Sequence, residues 1–163
     1  LHLFFLTCRL CPELDSELCA DAKRLSSLHG DNLKSDFVRW NLRTLKTIPV
    51  LSDLTQALDE MGMFVQQNPI CQQTGYIIDL FVESRDKTWL IQYHGEDRHI
   101  AGAGAGNARV RRAGSQQGEL KLQRYLLSCV GYKIVAITSS EWDDVKMSKK
   151  SIRSYLAWKL GLV

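Results

Sequence analysis

Two apolar runs joined by a short polar turn constrain this chain more than any other feature. Residues 76–83, "YIIDLFVE", are β-rich and apolar around a single aspartate, Asp79. "SRDK" then turns the chain, and "TWLIQYHG" repeats the same character. Runs of this composition bounded by a turn read as a hairpin of two buried strands. A buried hairpin needs cover, so the flanking segments must supply helices and further strand.

They do so in a definite order. Ser52 is placed to cap a helix over "DLTQALDEMG", where Leu54, Ala57, Leu58 and Met61 share a face and Gly62 closes the end. "MFVQQ" follows as a short strand and "NPICQQTG" as a turn-rich connection. After the hairpin, "AGAGAGNARVRRAGS" over 101–115 reads as a mobile loop, since alternating Ala and Gly bury nothing. Leu120, Leu122, Tyr125, Leu126 and Cys129 then recur along a helix ending at Gly131, and "YKIVAIT" is a β-branched strand. Ser148 is placed to cap a last helix, with Ile152, Tyr155, Leu156 and Leu160 inward. The core order is α-β-β-β-α-β-α, in which the crossover helix lets the last strand lie parallel to a hairpin strand. The fold class is a mixed α/β sandwich.

Residues 1–49 stand apart as a helical lead-in, the end of a preceding region. Leu18, Ala22, Leu25 and Leu28 recur at helical spacing until Gly30, Asp31 and Asn32, which predict a break. Phe37, Trp40, Leu42 and Leu45 mark a second short helix, stopped before Pro49. "LHLFFLTCRL" is too short to span a bilayer and lacks the flanks of a secretory signal, so no membrane partner is expected. The chain opens on Leu1 and reads as the continuation of something longer.

At 163 residues, 45% hydrophobic and 24% charged, the chain has material for one core. A formal charge of +3 is mildly basic, which makes charge placement matter more than the sum. Five cysteines, an odd number without a regular framework, predict free thiols in a reducing compartment. Cys8, Cys11 and Cys19 with His29 do not have the spacing of a zinc finger, and no metal or cofactor is expected.

The succession "LTQALDEMG", "GYIIDLFV", "TWLIQYHGEDRH", "LKLQRYLLSCVGYKIVAI" and "EW" resembles a RAP domain, an RNA-binding domain named for its abundance in Apicomplexans. The likeness covers roughly residues 50–160, within a RAP-like domain assigned to 50–163. It implies a restriction-endonuclease-like αβββαβ mixed-sheet core. Nucleases of that fold, the PD-(D/E)XK type, place an Asp on one strand and Glu-x-Lys on the next. Two carboxylates there hold a divalent cation, and the lysine orients water.

Asp79 matches the first acid, but Gln92 stands in place of the Glu and His94 in place of the Lys. Period-two alternation keeps Gln92 and His94 on one face. The charge is gone, so the cluster reads as a degenerate catalytic site, with Asp79 satisfied by hydrogen bonds from Gln92, His94 or backbone groups. Metal-dependent cleavage of RNA is the alternative reading.

RNA binding rests on Arg98, His99, Arg109, Arg111 and Arg112 around the Gly-rich loop, extended by Lys121 and Arg124 on the helix that follows. Lys146, Lys149, Lys150, Arg153 and Lys159 form a second basic run, read as a solvated face. Trp89 belongs to the core by its apolar strand, and Trp158 to a partner surface. The resemblance implies a mitochondrial protein, with plastid as the alternative. Its partners are RNA, with rRNA among the candidates, and protein neighbours in a ribonucleoprotein. Whether it is a processing factor or a subunit of the mitochondrial ribosome stays open at this point.

Overall fold

The computed structural model describes residues 1–85, 87–95, 99–100, 115–116, 118–148 and 151–162. Three helices come first: α1 (His2–Leu10), α2 (Pro12–Glu17) and the long α3 (Ala20–Thr44). Then follow α4 (Pro49–Asp59), β1 (Phe64–Gln67), β2 (Leu80–Ser84), β3 (Lys87–His94), β4 (His99–Ile100) and β5 (Ser115–Gln116). The chain finishes with α5 (Gly118–Cys129), β6 (Ile134–Thr138), α6 (Ser139–Met147) and α7 (Ile152–Leu160).

The sheet order is β1-β2-β3-β6. β1, β2 and β3 are antiparallel neighbours, while β6 lies parallel to β3 with Leu90 opposite Ile134 and His94 opposite Thr138. The expected hairpin and the expected parallel strand are both present, giving a mixed α/β fold with a four-stranded mixed sheet.

Strand parity sorts the side chains between two helical layers. On one face Leu80, Val82, Trp89, Ile91, Val135 and Ile137 pack against Leu54 and Leu58 of α4, Trp142 of α6, and Leu156 and Leu160 of α7. Trp89 is fully buried, and its indole N–H donates to the Leu160 carbonyl at 3.2 Å, tying α7 to the sheet. On the other face Leu90 and Ile78 meet Leu127 of α5. Behind that, Leu6 of α1 and Tyr76 close on Leu126.

Several local expectations are corrected. α3 runs unbroken through Gly30, Asp31 and Asn32 instead of splitting there. One glycine costs a helix about 1 kcal/mol, which docking of Lys34 and Phe37 against the 71–76 turn can offset. α4 starts at Pro49 rather than behind a Ser52 cap, because proline at the first helical turn is preorganised, and the earlier start buries Leu51. β2 begins at Leu80 rather than at Tyr76; Ile77 instead makes an isolated bridge to Ile70. Ser148 ends α6, a helix not expected at all, and α7 follows Ser151 with no side-chain cap bond. The loop expected over 101–115 lies outside the described residues except for Ser115 in β5.

Gly75 shows what one position without a side chain permits. Its φ is +76°, and a Cβ there would meet Lys34 Cγ and Val38 Cγ2, both at 3.3 Å. A side chain here would strain the left-handed backbone and crowd α3 by a few tenths of an ångström, which glycine avoids.

Candidate functional site

The polar end of β3 is built by the same alternation that builds the core. Leu90, Gln92 and His94 share the face toward α5. Continuing the β2–β3 register by one step beyond Leu80 and Ile91 sets Asp79 opposite Gln92. All three polar side chains are buried, with Asp79 8%, Gln92 2% and His94 0% exposed, so each needs its hydrogen bonds met within the protein.

Asp79 Oδ2 accepts from the backbone N–H of Tyr93 at 2.8 Å, one of the backbone donors anticipated for it. Gln92 Oε1 and His94 Nε2 are met by a residue from another element. Arg124 on α5 donates through Nε to Gln92 Oε1 at 3.0 Å, and its Nη2 lies 3.2 Å from His94 Nε2. A guanidinium has only donors, so His94 Nε2 is the acceptor and the ring proton of the neutral imidazole sits on Nδ1. Burial lowers the Arg124 pKa from its ordinary value.

This arrangement has a chemical consequence. Gln92, on the polar end of β3, presents a neutral amide whose oxygen is already engaged by the Arg124 guanidinium. A divalent ion beside Gln92 and His94 would meet that positive charge at close range. Among the described residues, no group of three or more His, Cys, Asp or Glu side chains is placed to hold a metal.

The residues expected to face RNA are distributed unevenly. Lys121 is exposed, whereas Arg124 turns inward, so the two do not share a surface as their spacing predicts. His99 lies in β4, paired with Gln116 of β5. Arg98, Arg109, Arg111 and Arg112 lie outside the described residues. The two-stranded β4–β5 ribbon brackets the segment that carries the last three, and its feet are joined to the end of β3 and the start of α5.

In the second basic run, three cations are paired with acids: Lys146 with Asp53 at 2.7 Å, Arg153 with Glu60 at 2.9 Å and Lys159 with Glu141 at 2.6 Å. Lys149 and Lys150 lie outside the described residues. Trp158 is exposed, while Cys8 is buried and Cys11 shares a 2.9 Å hydrogen bond with the Tyr125 hydroxyl.

Beside Asp79 and Gln92 opens a cleft of about 470 Å³, which sequence reasoning did not find. One side is the end of α3 with the extended 45–48 linker; the other is Tyr93, Gly95 and the first turns of α5. Tyr76 and Asn41 line it, and their Oη and Nδ2 atoms are buried with no hydrogen-bond partner among the described residues. Burial, with Glu119 nearby, pushes the Tyr76 phenol up to about 12. Phe37 holds the Tyr76 ring edge-on at 5.2 Å, and Asn41 follows Phe37 by four residues on α3, so one helical face delivers both. No motif signals this cleft, because its walls come from segments far apart in sequence.

No protein-family model matches the chain, and a search of curated proteins finds no significant match.

Proposed function

We propose that this chain is an RNA-binding module of the RAP type on a restriction-endonuclease-like core, which holds RNA without cutting it. Its setting is a mitochondrial ribonucleoprotein, as an RNA-processing factor or a ribosomal subunit. The observation that carries the reading is the Arg124 guanidinium on Gln92 and His94. It supplies fixed positive charge at the end of the sheet where a nuclease of this fold would need two carboxylates and a metal.

Two further features support it. With the separate β4–β5 ribbon set aside, the order α4-β1-β2-β3-α5-β6 is compatible with the αβββαβ core that the resemblance implies. The ribbon that brackets Arg109, Arg111 and Arg112 lies in sequence between Gly95 and Glu119, which both line the cleft. Phosphates contacted by those arginines would gain affinity independent of sequence through charge attraction and counterion release. Among the described residues no helix is long and apolar enough to cross a membrane.

The test is to incubate the protein with end-labelled single-stranded RNA and manganese. Retention of full-length RNA on the protein is expected. Cleavage that disappears in Asp79→Asn would overturn the non-catalytic reading in favour of the nuclease.

A further inference from the structure

The cleft beside Asp79 has properties that phosphate contact does not use. Its volume of about 470 Å³ falls in the range of sites that take small organic groups. Ile48, Ile77 and Leu120 give it apolar walls. Its polar groups are of two kinds. Asp79 and Glu119 are acids, which repel a phosphate but accept from an amine. Tyr76 Oη and Asn41 Nδ2 are buried donors without partners among the described residues, a state that carries a desolvation penalty until an acceptor arrives.

The rim adds more of the same. The peptide groups of Lys46 and Thr47, both lining the cleft, make no backbone–backbone hydrogen bond among the described residues. An occupant must therefore be flat, largely apolar on its faces, and edged with both donors and acceptors. It must also be uncharged or cationic.

We propose that the cleft takes one unstacked nucleobase of the bound RNA, of a kind bearing an exocyclic amine, in preference to uracil. The amine donates to the Glu119 and Asp79 side of the cleft, while ring nitrogen or carbonyl oxygen accepts from Asn41 and Tyr76. Uracil has no amine, and its one edge donor, N3–H, is flanked by two carbonyls, so an N3–H bond to one carboxylate sets a carbonyl against the other. Single-stranded RNA is commonly read through bases splayed out in this way. The inference rests on the RNA-binding reading and deepens it, by adding base preference to sequence-independent phosphate contact.

The test titrates the whole chain with adenosine, cytidine and uridine, following backbone amide NMR shifts at Asn41, Gly95 and Glu119. Saturating shifts are expected with adenosine and cytidine, with uridine about tenfold or more weaker, the worth of one hydrogen bond to a charged group. Tyr76→Phe should weaken the amine-bearing nucleosides. So should Glu119→Gln, which alters an exposed side chain and leaves folding intact. Equal shifts from all three nucleosides, no shifts, or shifts that neither variant moves would each overturn the base site.

A parallel arm measures binding of a uridine homo-oligonucleotide against salt. Salt-dependent capture without nucleoside shifts overturns the base site and leaves RNA binding standing. Nucleoside shifts with no oligonucleotide bound overturn the RNA reading, and with it the claim that the base belongs to RNA.

Discussion

Replacing Arg124 with methionine removes the guanidinium while roughly keeping side-chain volume, and so tests whether it holds the polar end of β3 together. Gln92 Oε1 and His94 Nε2 are interior acceptors, and both lose the donor that faces them at 3.0 and 3.2 Å. A buried acceptor stripped of its donor costs about 1–3 kcal/mol. Against that, the half-buried guanidinium no longer has to be desolvated, which returns part of the loss. The net expectation is a destabilisation of about 2 kcal/mol, and for a chain of this size a fall in Tm of about 4–8 °C.

Urea titration should show a lower midpoint with the slope unchanged, since the variant alters an interaction rather than the surface exposed on unfolding. Combining Arg124→Met with Gln92→Leu should cost less than the two single changes added together, by about 1 kcal/mol, because the second substitution removes the acceptor that the first leaves unmet. A single variant within about 0.5 kcal/mol of the parent, or strict additivity of the pair, would refute the reasoning.

Two further outcomes follow from the fold. At Glu141 burial opposes the charge, but Lys159, the Thr138 backbone N–H and the Thr138 hydroxyl outweigh it and hold the carboxyl below its usual range. A depressed carboxyl contributes stability that is present above its unfolded value near 4.5 and is lost as pH falls through the folded value. Acid titration of stability should therefore be shallower in Glu141→Gln, and an identical profile would argue against the pairing. Gly75→Ala forces a side chain into left-handed backbone and against α3, and should cost about 1–2 kcal/mol by thermal melt. A neutral result would mean that the turn does not press on that helix.

The sheet was legible in the sequence because each of its strands is a short β-rich run bounded by turn residues, and because α5 supplied a crossover of the right length. Local signals misled where tertiary packing outweighed them. Gly30, Asp31 and Asn32 look like a helix break, yet α3 is held further along by Lys34, Phe37 and Val38 against the Gly75 turn. Ser52 looks like a cap, but Pro49 starts the helix three residues earlier and Ser52 falls inside it.

The missed helix α6 did carry a signal. Thr138 and Glu141 form a capping box, with each side chain bonded to the other's backbone N–H, and the spacing is visible in "TSSE". Trp142 and Val145 are its only buried residues, too few for periodicity to reveal it. At the candidate site, the strand parity of Gln92 and His94 was readable. The partner was not: Arg124 falls four residues after buried Leu120 and three before buried Leu127, on an inward stripe where an arginine reads as a surface residue.

The most direct measurement of the central claim is the salt dependence of single-stranded RNA binding, compared between the parent and a variant with Arg109, Arg111 and Arg112 all replaced by glutamine. Each phosphate contact on a single strand contributes about 0.7 to the slope of log affinity against log salt. The account predicts salt-sensitive binding by the parent and a slope smaller in magnitude by about 2 in the variant. Parent and variant slopes that coincide, or a parent that retains no RNA at low salt, would contradict it.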